Sequence, residues 1–358
     1  MPPSTRARST RTEFLLLRGN VTATFEALYT RNTSDFVFVN LNLPEPRGRD
    51  RHGRVLYGSI DSARALVTNR FSEVIEVRNH SRNHSFQGTA KFEKRFSHHL
   101  EAIASYTFSR ARDVQTLPSS FSYSDNWRLG RVMSNRHDVM TPTISSYDLP
   151  HRLVMAATYS APWQRWKTDL SVYYIGEVGT PFTYTAALAP GKGDLNADGT
   201  NLNDPIYVPR SAADTAEIRF YGSDAEIAAQ QSAFDGFIEQ TACLRQQRGR
   251  IMARNSCRTP WVNVANAAIR QTLPGLGGKT LSLHLEIFNV LNLLNSQWGK
   301  VRTLRAPPNV ALFEHVSQTS GVASLSQPIF LYDPARPHFN SENPESAYQL
   351  QLGVQFRF

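Results

Sequence analysis

The last eleven residues constrain the fold most. They read Tyr348-Gln-Leu-Gln-Leu-Gly-Val-Gln-Phe-Arg-Phe358 and alternate without a break. Tyr348, Leu350, Leu352, Val354, Phe356 and Phe358 fall on one side, and Gln349, Gln351, Gly353, Gln355 and Arg357 on the other. Successive side chains of a β-strand point to opposite faces, so a period of two predicts a strand with one greasy and one wet face.

The pattern recurs upstream. In 281–287, Leu281, Leu283, Leu285 and Ile287 alternate with Ser282, His284 and Glu286. Segments 21–30, 85–96, 100–109, 152–160 and 166–175 alternate in the same way, and 36–41, 71–78 and 261–272 do so more weakly. That gives about ten strands, each near the length that a tilted membrane strand needs. Charged residues on one face of nearly every strand do not suit a soluble sandwich. They suit a barrel with a polar lumen. The aromatic residues Tyr106, Phe108, Tyr159, Trp163, Trp166, Tyr173, Tyr174, Phe182 and Tyr184 stand near strand ends, where girdles at the membrane interface are expected.

The connections give an independent argument. Reading back from Phe358, a long connection (295–345) precedes a tight one (273–278). Then come a long one (183–259), a tight one (162–165), a long one (110–149) and a tight one (97–99). Short periplasmic turns and long outer loops are the rule for outer-membrane barrels. Upstream of residue 84 the alternation blurs, because 79–84 reads as a short outer loop.

Composition narrows the class. No apolar run approaches the roughly 18 residues of a spanning helix, but barrel strands escape that test. The net charge is +9, and only six of the 39 basic residues are lysine. The arginines are scattered and no groove-reading motif accompanies them, so nucleic acid is not an expected partner. An Arg-lined lumen and basic loops account for the charge.

The start, Met1-Pro-Pro-Ser-Thr-Arg-Ala-Arg-Ser-Thr-Arg-Thr-Glu13, is basic, and only a short apolar run (14–17) follows. A secretory signal needs a longer apolar stretch. Residues 1–13 are therefore expected to be a non-native or disordered start, and 14–358 the C-terminal part of a barrel. The expectation is a fragment.

Several segments resemble TonB-dependent receptors of the carboxypeptidase-regulatory-like (Oar-like) group. They are Lys94-Arg-Phe-Ser97 with Ala104-Ser-Tyr-Thr-Phe-Ser109, and His151-Arg-Leu-Val-Met-Ala156. Next come Gly193-Asp-Leu-Asn-Ala-Asp-Gly-Thr-Asn-Leu-Asn-Asp-Pro-Ile-Tyr-Val-Pro209 and Arg248-Gly-Arg-Ile251 with Arg254-Asn-Ser-Cys-Arg-Thr-Pro-Trp-Val-Asn263. Leu285-Glu-Ile-Phe-Asn-Val-Leu-Asn292 and the terminal strand complete an ordered set over most of 85–358. The resemblance implies a plugged barrel of about 22 strands. This chain would supply about half of it, without signal, TonB box, plug or first strands. It also implies uptake of an unidentified substrate at the cell outer membrane, with TonB engaged only through the missing N-terminal part. Membrane lipid, lipopolysaccharide and the barrel-assembly machinery are the other expected partners. The terminal strand, with Tyr348, Phe356 and Phe358, resembles the one by which such barrels are recognised for assembly.

Two constellations carry further chemistry. Asp194, Asn196 and Asp198, followed by Gly199, match the first half of an EF-hand-type calcium loop. Position twelve is Pro205 rather than Glu, and Asp204 is a candidate late ligand. The alternative is an Asx- and Gly-rich turn. Calcium is the one cofactor the sequence suggests. Cys243 and Cys257 could close a basic loop by a disulfide, or stand as two reduced bystanders. That loop could meet an anionic ligand or lipopolysaccharide. The plainer reading is a structural loop over the barrel mouth. The pairs His80/His84 and His98/His99 lack zinc spacing. With no G-x-S-x-G, P-loop or G-x-G-x-x-G, the chain is not expected to be an enzyme.

Three readings compete: a receptor's barrel portion, a self-contained small barrel of porin or adhesin type, and a soluble calcium-binding β-protein. Detergent-dependent solubility separates the third from the others.

Overall fold

The computed structural model describes residues 4–16, 20–58, 65–117, 122–132, 134–163, 166–187, 193–201, 203–274, 279–305, 309–318, 328–340 and 344–357. Nine long strands form one antiparallel sheet in chain order. They are β1 (Ser4–Leu16), β2 (Val21–Asn40), β3 (His84–Arg95), β4 (Leu100–Asp113) and β5 (His151–Ala161). β6 (Lys167–Glu177), β7 (Val262–Pro274), β8 (Thr280–Phe288) and β9 (Gln349–Arg357) complete it. Among the described residues β1 and β9 are its two edges, and they do not pair with each other.

The register carries the alternation across the sheet. Leu100, Tyr159, Leu170, Ile269, Leu285 and Leu352 lie in one row from β4 to β9. One residue along, Glu101, Thr158, Ser171, Ala268, Glu286 and Gln351 form a row on the other face. A slip of one residue in any strand would exchange its two faces. The polar face is laced by Thr158–Ser171 at 3.0 Å and Thr89–Thr107 at 3.1 Å, and the Ser160 hydroxyl donates to Asp169 at 2.7 Å. The apolar face stays bare: Val172, Leu352 and Val354 are all exposed. Such a face in water is a liability, and in lipid it is at home.

Three expectations are corrected. Residues 4–16, placed largely in a disordered start, form β1 and pair along β2. The segment lacks apolar alternation, so its own sequence did not announce a strand; the backbone edge of β2 recruits it. Second, 21–30 and 36–41 are one strand of 20 residues, not two. Its far half pairs with a short strand, Ile75–His80, beyond the reach of β3. The connection from β2 to β3 is therefore the long stretch 41–83, and the short–long alternation runs on to β1. Third, Phe182 and Tyr184 belong to no interface girdle. They are buried in a core beyond the sheet, and Tyr173 lies on the polar face. Trp166 and Tyr159 do stand exposed at the short-turn end.

Among the described residues the two hydrophobic cores lie mainly in the long connections. Residues 178–261 and 289–348 build the larger one. A strand at Pro181–Ala187 pairs with Asn309–Phe313, and helix α2 (Asp224–Gln240) lies over them. The helix starts where the Glu226 carboxylate accepts from the Ser223 backbone N–H at 2.7 Å, a capping-box contact. Its Phe234 and Ile238, one turn apart, are fully buried. Phe313 stacks on Phe330 at 4.2 Å, and Phe234 meets Tyr332 at 5.0 Å. A smaller core of Phe38, Leu43, Val55, Tyr57 and Trp127 joins 41–83 to 114–150. Helix α1 (Tyr123–Gly130) delivers Trp127 to it. The long connections thus form one folded cap at a single end of the sheet.

Candidate functional site

The Asp194–Asp204 loop sits inside this cap, with Asn196, Asp198, Asn203 and Asp204 almost wholly buried. The chain folds back tightly here. Asp194 accepts from the Gly199 N–H at 2.9 Å and the Asp198 N–H at 3.2 Å. The Asn196 side-chain oxygen accepts from the Asp198 N–H at 2.8 Å. Gly199 has φ +95, a conformation that L side chains rarely adopt, which explains glycine at the sharp turn. Asp204 accepts from the Leu195 N–H at 2.9 Å and so closes the loop on itself.

The sequence-predicted residues Asp194, Asn196, Asp198 and Asp204 are therefore brought together. Sequence reasoning missed two others. Arg54, from the β2–β3 connection, donates to Asp204 at 2.8 Å and to the Pro205 carbonyl at 2.5 Å. Asn203 donates its amide to Asp198 at 2.8 Å. No local signal marks Arg54, which lies 150 positions from its partner. The Asn196 carbonyl also accepts from the Tyr57 N–H at 2.8 Å, so the loop rests on the smaller core.

Electrostatics here are costly. Burial pushes the Asp198 carboxyl up to about 7, with the nearby Asp194 charge adding to the effect. Burial raises Asp194 as well, against four backbone N–H donors. Asp204 is raised well above the ordinary carboxylate range by burial, despite the Arg54 charge. Among the described residues, no three His, Cys, Asp or Glu side chains make a metal cage by themselves. Any cation here would need amide oxygens too.

The other predicted residues lie apart. Cys243 and Cys257 are joined in a disulfide, Cα–Cα 5.3 Å, at the foot of the larger core. The basic loop between them is occupied locally: Arg248 pairs with Asp235 at 2.9 Å, and Arg254 is buried. Tyr348 and Phe356 are exposed at the β9 edge, and Phe358 lies outside the described residues. His98 contacts Ser97, and His84 contacts the Arg82 carbonyl, without a converging set.

A membrane-length antiparallel sheet, greasy on one face and polar on the other, with turns at one end and a folded cap at the other, defines an outer-membrane barrel-type protein. The model of the outer membrane beta barrel domain family matches residues 20–321, most of the chain, so the chain belongs to that family. Its place is the outer membrane. No curated protein matches the chain.

Proposed function

We propose that the nine strands are the C-terminal part of the larger barrel of a TonB-dependent receptor of the Oar-like group, which takes up an unidentified substrate. The observation that carries this reading is the pair of open edges, β1 and β9. Unpaired backbone N–H and C=O groups in lipid cost several kcal/mol each, so a spanning sheet must close. Further strands between β9 and β1 would close it, and a wider barrel leaves room for a plug. The ordered motifs over 85–358 support the same group. The folded cap suits a receptor, because outer loops held by their own core can present a defined binding surface. The role is transport, not catalysis, with lipopolysaccharide and the barrel-assembly machinery as partners, and TonB engaged by an N-terminal plug segment.

Sequencing the DNA upstream of the Met1 codon tests this. The expected result is an open reading frame, in phase or after one frameshift, that encodes a plug and a signal peptide. Unrelated upstream DNA and an independent promoter would overturn the receptor reading and favour a self-contained small barrel.

A further inference from the structure

We propose that the cap binds one calcium ion, held by the carboxylates of Asp194 and Asp198 and the side-chain oxygens of Asn196 and Asn203. The proposal does not depend on the transport reading. It rests on charge, on one orphaned oxygen and on donor chemistry.

Asp194, Asp198 and Asp204 lie in one buried loop; of these three Arg54 pairs with Asp204 alone, and it shares its charge with Asp50 at 3.7 Å. Among the described residues no side-chain cation pairs with Asp194 or Asp198. Buried charges are otherwise paired or metal-bound, because desolvating a lone carboxylate is expensive. One divalent cation matches two carboxylates.

The orphaned oxygen is the second observation. Asn203 is fully buried, and its side-chain oxygen has no hydrogen-bond partner. Its amide nitrogen is 2.8 Å from an Asp198 oxygen. The free oxygen of that same carboxamide is therefore held beside the carboxylate. A buried acceptor without a donor is uncommon in a native fold and calls for a partner. A cation between Asn203 and Asp198 is such a partner.

The donors define which cation. All are oxygens, two anionic and two neutral, on a loop with acidic or amide side chains at alternate positions and glycine at the sharp turn. Calcium accepts mixed oxygen ligands in flexible geometry, whereas zinc and copper favour nitrogen and sulfur. Arg54 then acts beside the ion, tying Asp204 and the loop to the β2–β3 connection.

The test uses the full chain refolded in detergent micelles, stripped with chelator and titrated with calcium chloride by calorimetry, with thermal unfolding followed in parallel. The expected result is one saturable site and a melting temperature that rises with calcium. Asp198→Asn and Asn203→Ala should each weaken binding at least tenfold. Asn203→Ala removes only a neutral group, so it remains informative if Asp198→Asn fails to fold. An absence of saturable binding in the unmodified chain, or unchanged affinity in the folded variants, would overturn the proposal.

Discussion

The Arg254 guanidinium donates to the Asp113 carboxylate at 2.6 Å across 141 positions of chain, and so bolts the cap to the rim of β4. Both side chains are nearly buried. Arg254 also donates to the Thr116 hydroxyl at 2.6 Å and the Asp113 carbonyl at 3.2 Å, while Asp113 accepts from Ser145 at 2.6 Å. Removing one partner of such a pair strands a buried charge and costs about 3–5 kcal/mol. Arg254→Met should therefore destabilise the cap by that order, read as a lower denaturation midpoint of the outer connections. An Arg254→Met, Asp113→Leu double variant should recover part of the loss, because no charge is left unpaired.

The disulfide predicts a second effect. It fastens the helical turn Ala242–Arg245 to the strand at Cys257–Arg258, which pairs with Pro181 and Phe182. Closing a loop of about 15 residues contributes roughly 3 kcal/mol in the chain-entropy account. Replacing both cysteines by serine should loosen 243–257 first. Limited proteolysis should then cut between those positions while β4–β9 stay protected.

Acidification should weaken the smaller core. His137 lies between the rings of Tyr57 and Trp127, 5.9 and 5.8 Å away. Burial drives its pKa down to about 4; Asp138 opposes this, and Arg131, Arg136 and Arg78 add to it. The folded state thus favours neutral imidazole, while the unfolded chain protonates near 6.5. Stability from this group is fully present above pH 6.5 and drains as pH falls toward 4. Tryptophan fluorescence of the cap against pH should show that loss, and His137→Phe should flatten it.

The two sheet faces should respond oppositely to charge. Val172 is exposed in mid-strand, between Ala157 and Ala267. Val172→Arg should cost about 2–4 kcal/mol of folding into lipid vesicles, the range for a charge at the bilayer midplane. Gln351→Arg, on the polar face in the row of Glu286 and Ala268, should fold almost as well as the unmodified chain.

These faces were legible in the sequence because period two is a local property. β3 to β9 could be read from alternation, and the short–long connections gave their order. β1 could not, since Arg6, Arg8 and Arg11 interrupt any apolar face and the strand is set by its neighbour. The cap was hidden for a different reason. Its contacts join residues far apart in the chain, as Phe234 joins Phe313 and Arg54 joins Asp204, and no periodicity announces them. Phe182 and Tyr184 read as interface aromatics, yet burial in the cap core decides their role. At the Asp194 loop, the ligand-like spacing was visible, but Asn203 and Arg54 emerged only from the packing.

In the proposed receptor this sheet spans the outer membrane with its cap outside and its tight turns within the periplasm. Thiol labelling of intact cells tests it most directly, because both native cysteines are in the disulfide. Ser232→Cys places a thiol on the exposed side of α2, and His98→Cys places one in the exposed β3–β4 turn. A membrane-impermeant maleimide should label Ser232→Cys on intact cells and His98→Cys only after the outer membrane is permeabilised. Labelling of His98→Cys on intact cells, with Ser232→Cys protected, would contradict the orientation, and recovery of both variants in the soluble fraction would contradict the membrane assignment itself.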